Sequence, residues 1–83
     1  MENNVYVVYN TLSKRYGDVM AYPSDAYALA RLQPVLSSNG SKLSEFELCR
    51  VGRIDVESGV LTPSNPVRIA WQDLSLSDVA SRS

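Results

Sequence analysis

The 83-residue chain contains no histidine and a single cysteine, Cys49. One thiol cannot close an intrachain disulfide, and without histidine a zinc site lacks most of its usual ligands. A nucleophilic role for Cys49 would need a neighbouring base, so the residue reads as a small, half-buried apolar side chain, compatible with a reducing compartment. Glycine is scarce as well, at four residues. None falls into the G-x-x-x-x-G-K-S/T or G-x-G-x-x-G spacing that lets backbone amides surround a phosphate. No apolar run approaches the ~20 residues needed to span a bilayer. The amino terminus, Met1-Glu2-Asn3-Asn4, is polar and acidic, unlike a signal peptide. Charge of one sign is missing too: eight Lys and Arg stand against nine Asp and Glu, a net charge of −1. Proteins that hold duplex DNA through phosphates carry a clear positive excess, so only local clustering can argue for nucleic acid here. These absences point to a soluble cytoplasmic protein without cofactor or metal and with no membrane contact.

What is present is ordinary globular material: 45% hydrophobic and 20% charged residues. The length suits one domain with a modest core, which buries about 60–65% of its unfolded surface. Val5-Tyr6-Val7-Val8-Tyr9 is β-branched and aromatic throughout, the pattern of a strand covered on both faces or nearly so. Asn10, Ser13, Gly17 and Asp18 then supply turn residues, and an extended pattern resumes to Pro23. Residues 4–22 read as a loose hairpin with Lys14 and Arg15 near its tip; a long single strand followed by a loop is the competing reading.

A helix follows. Ser24 suits the N-cap, Asp25 suits the positive end of the helix dipole, and Ala26, Leu29, Ala30 and Leu32 form a narrow apolar stripe. Pro34 has no amide hydrogen and disfavours helical geometry at Gln33, which predicts an end to the regular helix there. A polar connector with a turn at Asn39–Gly40 leads to the run Glu45-Phe46-Glu47-Leu48-Cys49-Arg50-Val51-Gly52-Arg53-Ile54-Asp55. Its faces mix apolar and charged residues. A bulge near Gly52 predicts that Phe46, Leu48, Val51 and Ile54 reach one core while Arg50 and Arg53 point outward. Asp55 and Gly59 mark a tight hairpin. The prolines at 63 and 66 confine the next strand to an edge or an irregular crossing. In Val67-Arg68-Ile69-Ala70-Trp71 the alternation is clean, with Trp71 as a core anchor. The expected architecture is α+β, with one helix packed on a mainly antiparallel small sheet in the order β-β-α-β-β. It forms a single domain over residues 1–72, followed by a serine-rich flexible tail over 73–83.

No acid–base pair or nucleophilic constellation emerges, and Glu45 and Glu47 alternate as a solvated strand face does. The chemistry that does emerge is a mixture of cations and flat rings. Tyr9, Lys14, Arg15 and Tyr16 lie on or beside the first hairpin, and Arg50, Arg53 and Arg68 lie on later strands. Single-stranded nucleic acid is held by such mixtures, with cations on phosphates and rings stacked on bases. The bland alternative is that tyrosines are good strand residues and that Lys-Arg at a hairpin tip serves solubility. Tyr27 lies off the helix stripe, either as a partner contact or as a core-edge residue.

The helix opening Pro23-Ser24-Asp25-Ala26-Tyr27-Ala28-Leu29-Ala30-Arg31-Leu32-Gln33 and the run from Ser44 to Leu61 carry a resemblance. Their order of capped helix, acidic-Phe-x-Leu-x-x-hydrophobic-Gly-x-hydrophobic-Asp run and glycine turn resembles the small nonstructural protein of gokushoviruses, single-stranded-DNA bacteriophages of the microvirus family. The match covers roughly residues 20–62 well and the first strand loosely; Cys49 and Arg50 depart from the aromatic or acidic residues usual after Leu48. The resemblance implies a non-enzymatic nonstructural protein in the cytoplasm of an infected bacterial host. It would assist genome replication and single-stranded DNA synthesis, by binding single-stranded DNA. On that reading Lys14, Arg15, Arg50, Arg53 and Arg68 contact phosphates and Tyr9 and Tyr16 stack. The alternative is a protein-interaction module that engages the phage replication initiator or a capsid assembly intermediate. Open sheet edges in so small a protein also favour a homodimer.

Overall fold

A computed structural model describes residues 1–38 and 42–71 of the chain. The turn expected at Asn39–Gly40 and the tail over 73–83 lie outside the described residues. Strand β1 (Glu2–Asn10) and strand β2 (Arg15–Tyr22) form the first hairpin, and helix α1 (Asp25–Leu36) follows. A 3-10 turn (Leu43–Glu45) leads into strand β3 (Phe46–Asp55), which returns as strand β4 (Leu61–Ile69). The strands order as β2-β1-β3-β4, each antiparallel to its neighbour. The expected α+β architecture with one helix on an antiparallel sheet is therefore what the chain adopts.

Local chemistry explains the turns. The Asn10 side-chain oxygen accepts from the amides of Leu12 and Ser13 at 2.8 and 3.0 Å, and the Lys14 amide closes the turn on the Asn10 carbonyl at 2.8 Å. Lys14 itself takes a left-handed φ of 60°. Asp55 plays the same part between β3 and β4, accepting from Glu57 and Ser58, and Gly59 supplies the positive φ of 77°.

Helix α1 begins as expected, with the Ser24 hydroxyl oxygen accepting from the Tyr27 amide at 3.1 Å. Its end differs: Pro34 lies inside the helix, which runs on to Leu36. The proline withholds one hydrogen bond, to the carbonyl of Ala30, which is an exposed residue and so has water to turn to. Leu36 packs against the core, and the Ser37 amide and hydroxyl both close on the Gln33 carbonyl, at 3.0 and 2.7 Å. Burial at Leu36 outweighs the local penalty. The apolar stripe is also rotated from the one expected: Ala28, Leu29, Leu32 and Gln33 are buried, whereas Ala26 and Ala30 are exposed.

The core lies between α1 and one face of the sheet. Tyr6 and Leu48, both at 0% exposure, meet Ala28, Leu29 and Leu32, with Val8, Met20, Tyr22, Ile69 and Trp71 packed around them. Trp71 is anchored by its indole N–H, which donates to the Phe46 carbonyl at 2.8 Å.

The irregularity expected near Gly52 is real, but it sorts the side chains differently. Tyr6 faces Arg50 and Val5 faces Gly52, so Val51 is the extra residue of a bulge. On the other flank of β3, Arg50 faces Val67 and Gly52 faces Pro63, so Ser64, Asn65 and Pro66 bow out opposite Val51 alone. Gly52 is required by close approach: a Cβ there would lie 2.4 Å from the Thr62 carbonyl oxygen. Directly paired residues share a face. Arg50, opposite Tyr6, is thus on the helix-bearing face with Leu48, and Arg53, opposite Asn4, is on that face too. Ile54 faces Asn3 and turns to the other face, and Val51 is only half-buried. Of the expected sorting, Leu48 is inside and Arg53 is exposed, but Val51 and Ile54 are only half-buried, Ile54 is on the other face, and Arg50 is half-buried on the helix-bearing face. Residues three apart on a regular strand point opposite ways; the extra residue brings Arg50 and Arg53 to the same side.

Candidate nucleic-acid interface

The seven residues expected to bind single-stranded DNA divide between two faces and one rim. Tyr9 pairs with Tyr16 on β2 and with Glu47 on β3, while Arg68 pairs with Cys49, which pairs with Val7. All of these lie on the face opposite α1, over which no described element is laid. Arg50 and Arg53 lie on the helix-bearing face, toward the start of β1. Lys14 and Arg15 are exposed at the turn where β1 ends. From Asn4, opposite Arg53, to Asn10, opposite Arg15, is six strand residues, about 20 Å. No single surface collects all seven.

Three of them, Tyr9, Tyr16 and Arg68, share the uncovered face, while Lys14 and Arg15 stand at its rim, Arg15 opposite Asn10 and so on the helix-bearing side of that rim. The Tyr9 and Tyr16 rings stand 4.8 Å apart, tilted by 56°, and Tyr16 is 56% exposed. Lys14 and Arg15 occupy the adjoining rim and make no ion pair among the described residues. Arg68 projects from the same face and reaches Glu47 at 3.6 Å, a loose pair with the arginine side chain 73% exposed. Deeper in this face Val5, Val7 and Cys49 are nearly closed to solvent, because they sit on the two central strands with side chains on both flanks. Val19 on the β2 edge carries the exposure, at 69%. Burial, and secondarily the Glu47 carboxylate, push the Cys49 thiol above its ordinary pKa, so it stays protonated at neutral pH and is a poor nucleophile.

The helix-bearing face holds a network that the sequence did not suggest. The Tyr6 hydroxyl donates to one Asp25 carboxylate oxygen and Arg50 donates to the other, both at 2.5 Å. The Asn4 amide donates to the Tyr6 hydroxyl at 3.0 Å. Burial alone would raise the Asp25 pKa, but the hydrogen bonds from Tyr6 and Arg50 outweigh it and hold the carboxyl below its usual range. The Tyr6 phenol is pushed up to about 12, first by burial and then by donating to Asp25. Asp25 therefore does more than complement the helix dipole: it fastens the start of α1 to the two central strands. The signal available was the lone acid beside the cap; its partners lie 19 and 25 residues away.

Tyr27 is 47% exposed and its ring lies 5.6 Å from that of Tyr22, tilted by 40°, a core-edge position. Among the described residues no cluster of His, Cys, Asp or Glu could hold a metal, and no helix is long and apolar enough to cross a membrane. No family model, characterised protein or solved structure matches the chain. The gokushovirus resemblance thus rests on the quoted residues alone.

Proposed function

We propose that the chain is a non-enzymatic binding protein that takes single-stranded nucleic acid on the uncovered face of its sheet. The observation that carries this reading is the Tyr9–Tyr16 ring pair on that face, with Lys14 and Arg15 at its rim making no ion pair among the described residues. An open antiparallel sheet with exposed rings is a stacking platform for unpaired bases, and cations at its rim follow the phosphates. Arg68 adds a third cation. Arg50 and Arg53, on the opposite face, are not part of this surface. The setting we propose is the one implied by the sequence resemblance: replication of a single-stranded-DNA phage in the cytoplasm of its bacterial host.

Binding of a labelled single-stranded oligonucleotide, measured at low salt and again at higher salt, tests the reading. The expected result is saturable binding that weakens with salt. Absence of binding at low salt overturns it.

One observation favours a second reading, a protein-interaction module engaging the replication initiator or a capsid intermediate. β4 carries Pro63 and Pro66, which block strand addition, whereas the β2 edge contains no proline and exposes Val19. A partner strand, including one from a second copy, would add at β2. Copurification after nuclease treatment separates the readings: a partner retained by strand pairing survives it, and a DNA-bridged one is lost.

A further inference from the structure

The two arginines left out of the nucleic-acid surface line a cleft of their own. It opens on the helix-bearing face where β4 bows away from β3, and its volume is about 530 Å³, within the range of small-ligand sites. Its lining includes Arg50, Arg53, Asn4, Thr62 and Ser64, the last with its hydroxyl donating to the neighbouring Asn65 carbonyl at 3.3 Å. The described lining contains two cations and no carboxylate.

We propose that this cleft binds a phosphate monoester, with Arg50 and Arg53 as its anion-holding pair.

Three features support that ligand class. The bulge at Val51 is what places both guanidiniums on one side, on neighbouring same-face positions of β3. Arg50 is oriented in advance: Asp25 accepts from one of its terminal nitrogens, with the Tyr6 hydroxyl group beside it, so the planar fork is held in place before a ligand arrives. Arg53 is available, since Glu2 stands 3.7 Å away with both side chains more than half exposed, a contact worth little that an incoming anion can replace. Two guanidiniums beside Thr62 and Ser64 suit a tetrahedral dianion better than a planar carboxylate, which one Arg fork already satisfies. The source of the phosphate is either a free nucleotide or the terminal phosphate of a DNA strand. This inference is independent of the stacking platform, which lies on the other face.

The test is an amide and arginine side-chain NMR titration of the full chain at constant ionic strength. The probes are inorganic phosphate, thymidine 5′-monophosphate, thymidine and acetate, together with a short oligonucleotide bearing or lacking a 5′-phosphate. Saturable shifts at Arg53 and Ser64 with phosphate and the nucleotide are expected, with none from thymidine and weaker ones from acetate. Arg53→Gln is expected to weaken binding by about tenfold or more, the loss of one charge-assisted hydrogen-bonding group. Arg31→Gln, at an exposed helix residue outside both the cleft lining and the tyrosine platform, is expected to leave it unchanged. If only the 5′-phosphorylated oligonucleotide shifts these residues beyond inorganic phosphate, the source is a strand end; if the mononucleotide does so equally, it is a free nucleotide. Absence of saturable shifts at millimolar phosphate, an equal response to acetate, or an Arg53→Gln protein that binds as the parent does would overturn the proposal. Because Arg53 is exposed and outside the core, loss of fold does not confound the variant. Failure of the oligonucleotide to bind the tyrosine platform leaves these outcomes unaffected.

Discussion

The two faces of this sheet are made by the same four strands and differ in what secures them. On the helix-bearing face, Tyr6 and Leu48 are closed from solvent by a second layer, and a chain of hydrogen bonds from Asn4 through Tyr6 to Asp25 and Arg50 ties that layer down. On the opposite face, Val5, Val7 and Cys49 are buried by their own neighbours, and the periphery is left to Tyr16, Val19 and Arg68. One face therefore carries stability and the other is free to carry contacts. Cations of equal charge also differ in what holds them: Arg50 is locked to a carboxylate, whereas Lys14 and Arg15 at the rim make no ion pair among the described residues.

The largest test of this contrast is truncation on each face. Leu48→Ala is expected to cost about 2–5 kcal/mol, the loss of a fully enclosed side chain plus the cavity it leaves. Val19→Ala should stay within about 0.5 kcal/mol, as surface changes do. Chemical denaturation measures both, and a comparable loss at Val19 would mean that the open face is covered in solution. Next comes Gly52→Ala, expected to destabilise by about 1–3 kcal/mol because the new methyl meets the Thr62 backbone rather than a flexible side chain. That variant should also alter the cleft, visible as shifted Arg53 resonances. Tyr16→Ala sharpens the comparison from the other side: little change in stability, but oligonucleotide affinity lower by about 1–3 kcal/mol, measured by fluorescence anisotropy.

The smallest effects are titrations. Asp25 has a depressed pKa in the folded state, so its contribution is present above the unfolded carboxyl value of about 3.9 and is lost as pH falls through the lower folded value. Tyr6 has a raised one, so its contribution is present below about 10 and is lost as pH rises toward about 12. Stability followed against pH should fall at both ends, with Asp25→Asn flattening the acid limb and Tyr6→Phe the alkaline limb.

Much of the fold is legible in the sequence because it rests on contacts within a few residues. Ser24 caps its own helix, Asn10 and Asp55 close their own turns, and Gly59 supplies its own positive φ. The extent of α1 past Pro34 is not legible, because it depends on where Leu36 lands in the core. The sorting of β3 fails for a related reason. Gly52 reveals that the strand is irregular, but which residue is the extra one depends on the partner strand: with Val51 extra Arg50 takes the place opposite Tyr6, and with Arg50 extra Val51 would take it. The candidate site shows the same limit. Tyr9 and Tyr16 come together because a hairpin joins neighbours in sequence, whereas grouping Arg50 and Arg53 with them required knowing a face that local pattern does not encode.

Val51 also governs how this protein can vary in length. Loss of its single codon would set Arg50 and Arg53 two positions apart in an unbroken alternation, opposite Tyr6 and Asn4 as they are now, so Leu48 and both arginines would keep their side. What would change is the other flank, where Ser64, Asn65 and Pro66 bow out opposite Val51 alone and would be left with no residue to span. The extra residue is thus a spacer for β4 rather than a condition of the core, and a relative that lacks it would keep the arginine pair on one face while the wall of the cleft formed by Ser64 is rebuilt.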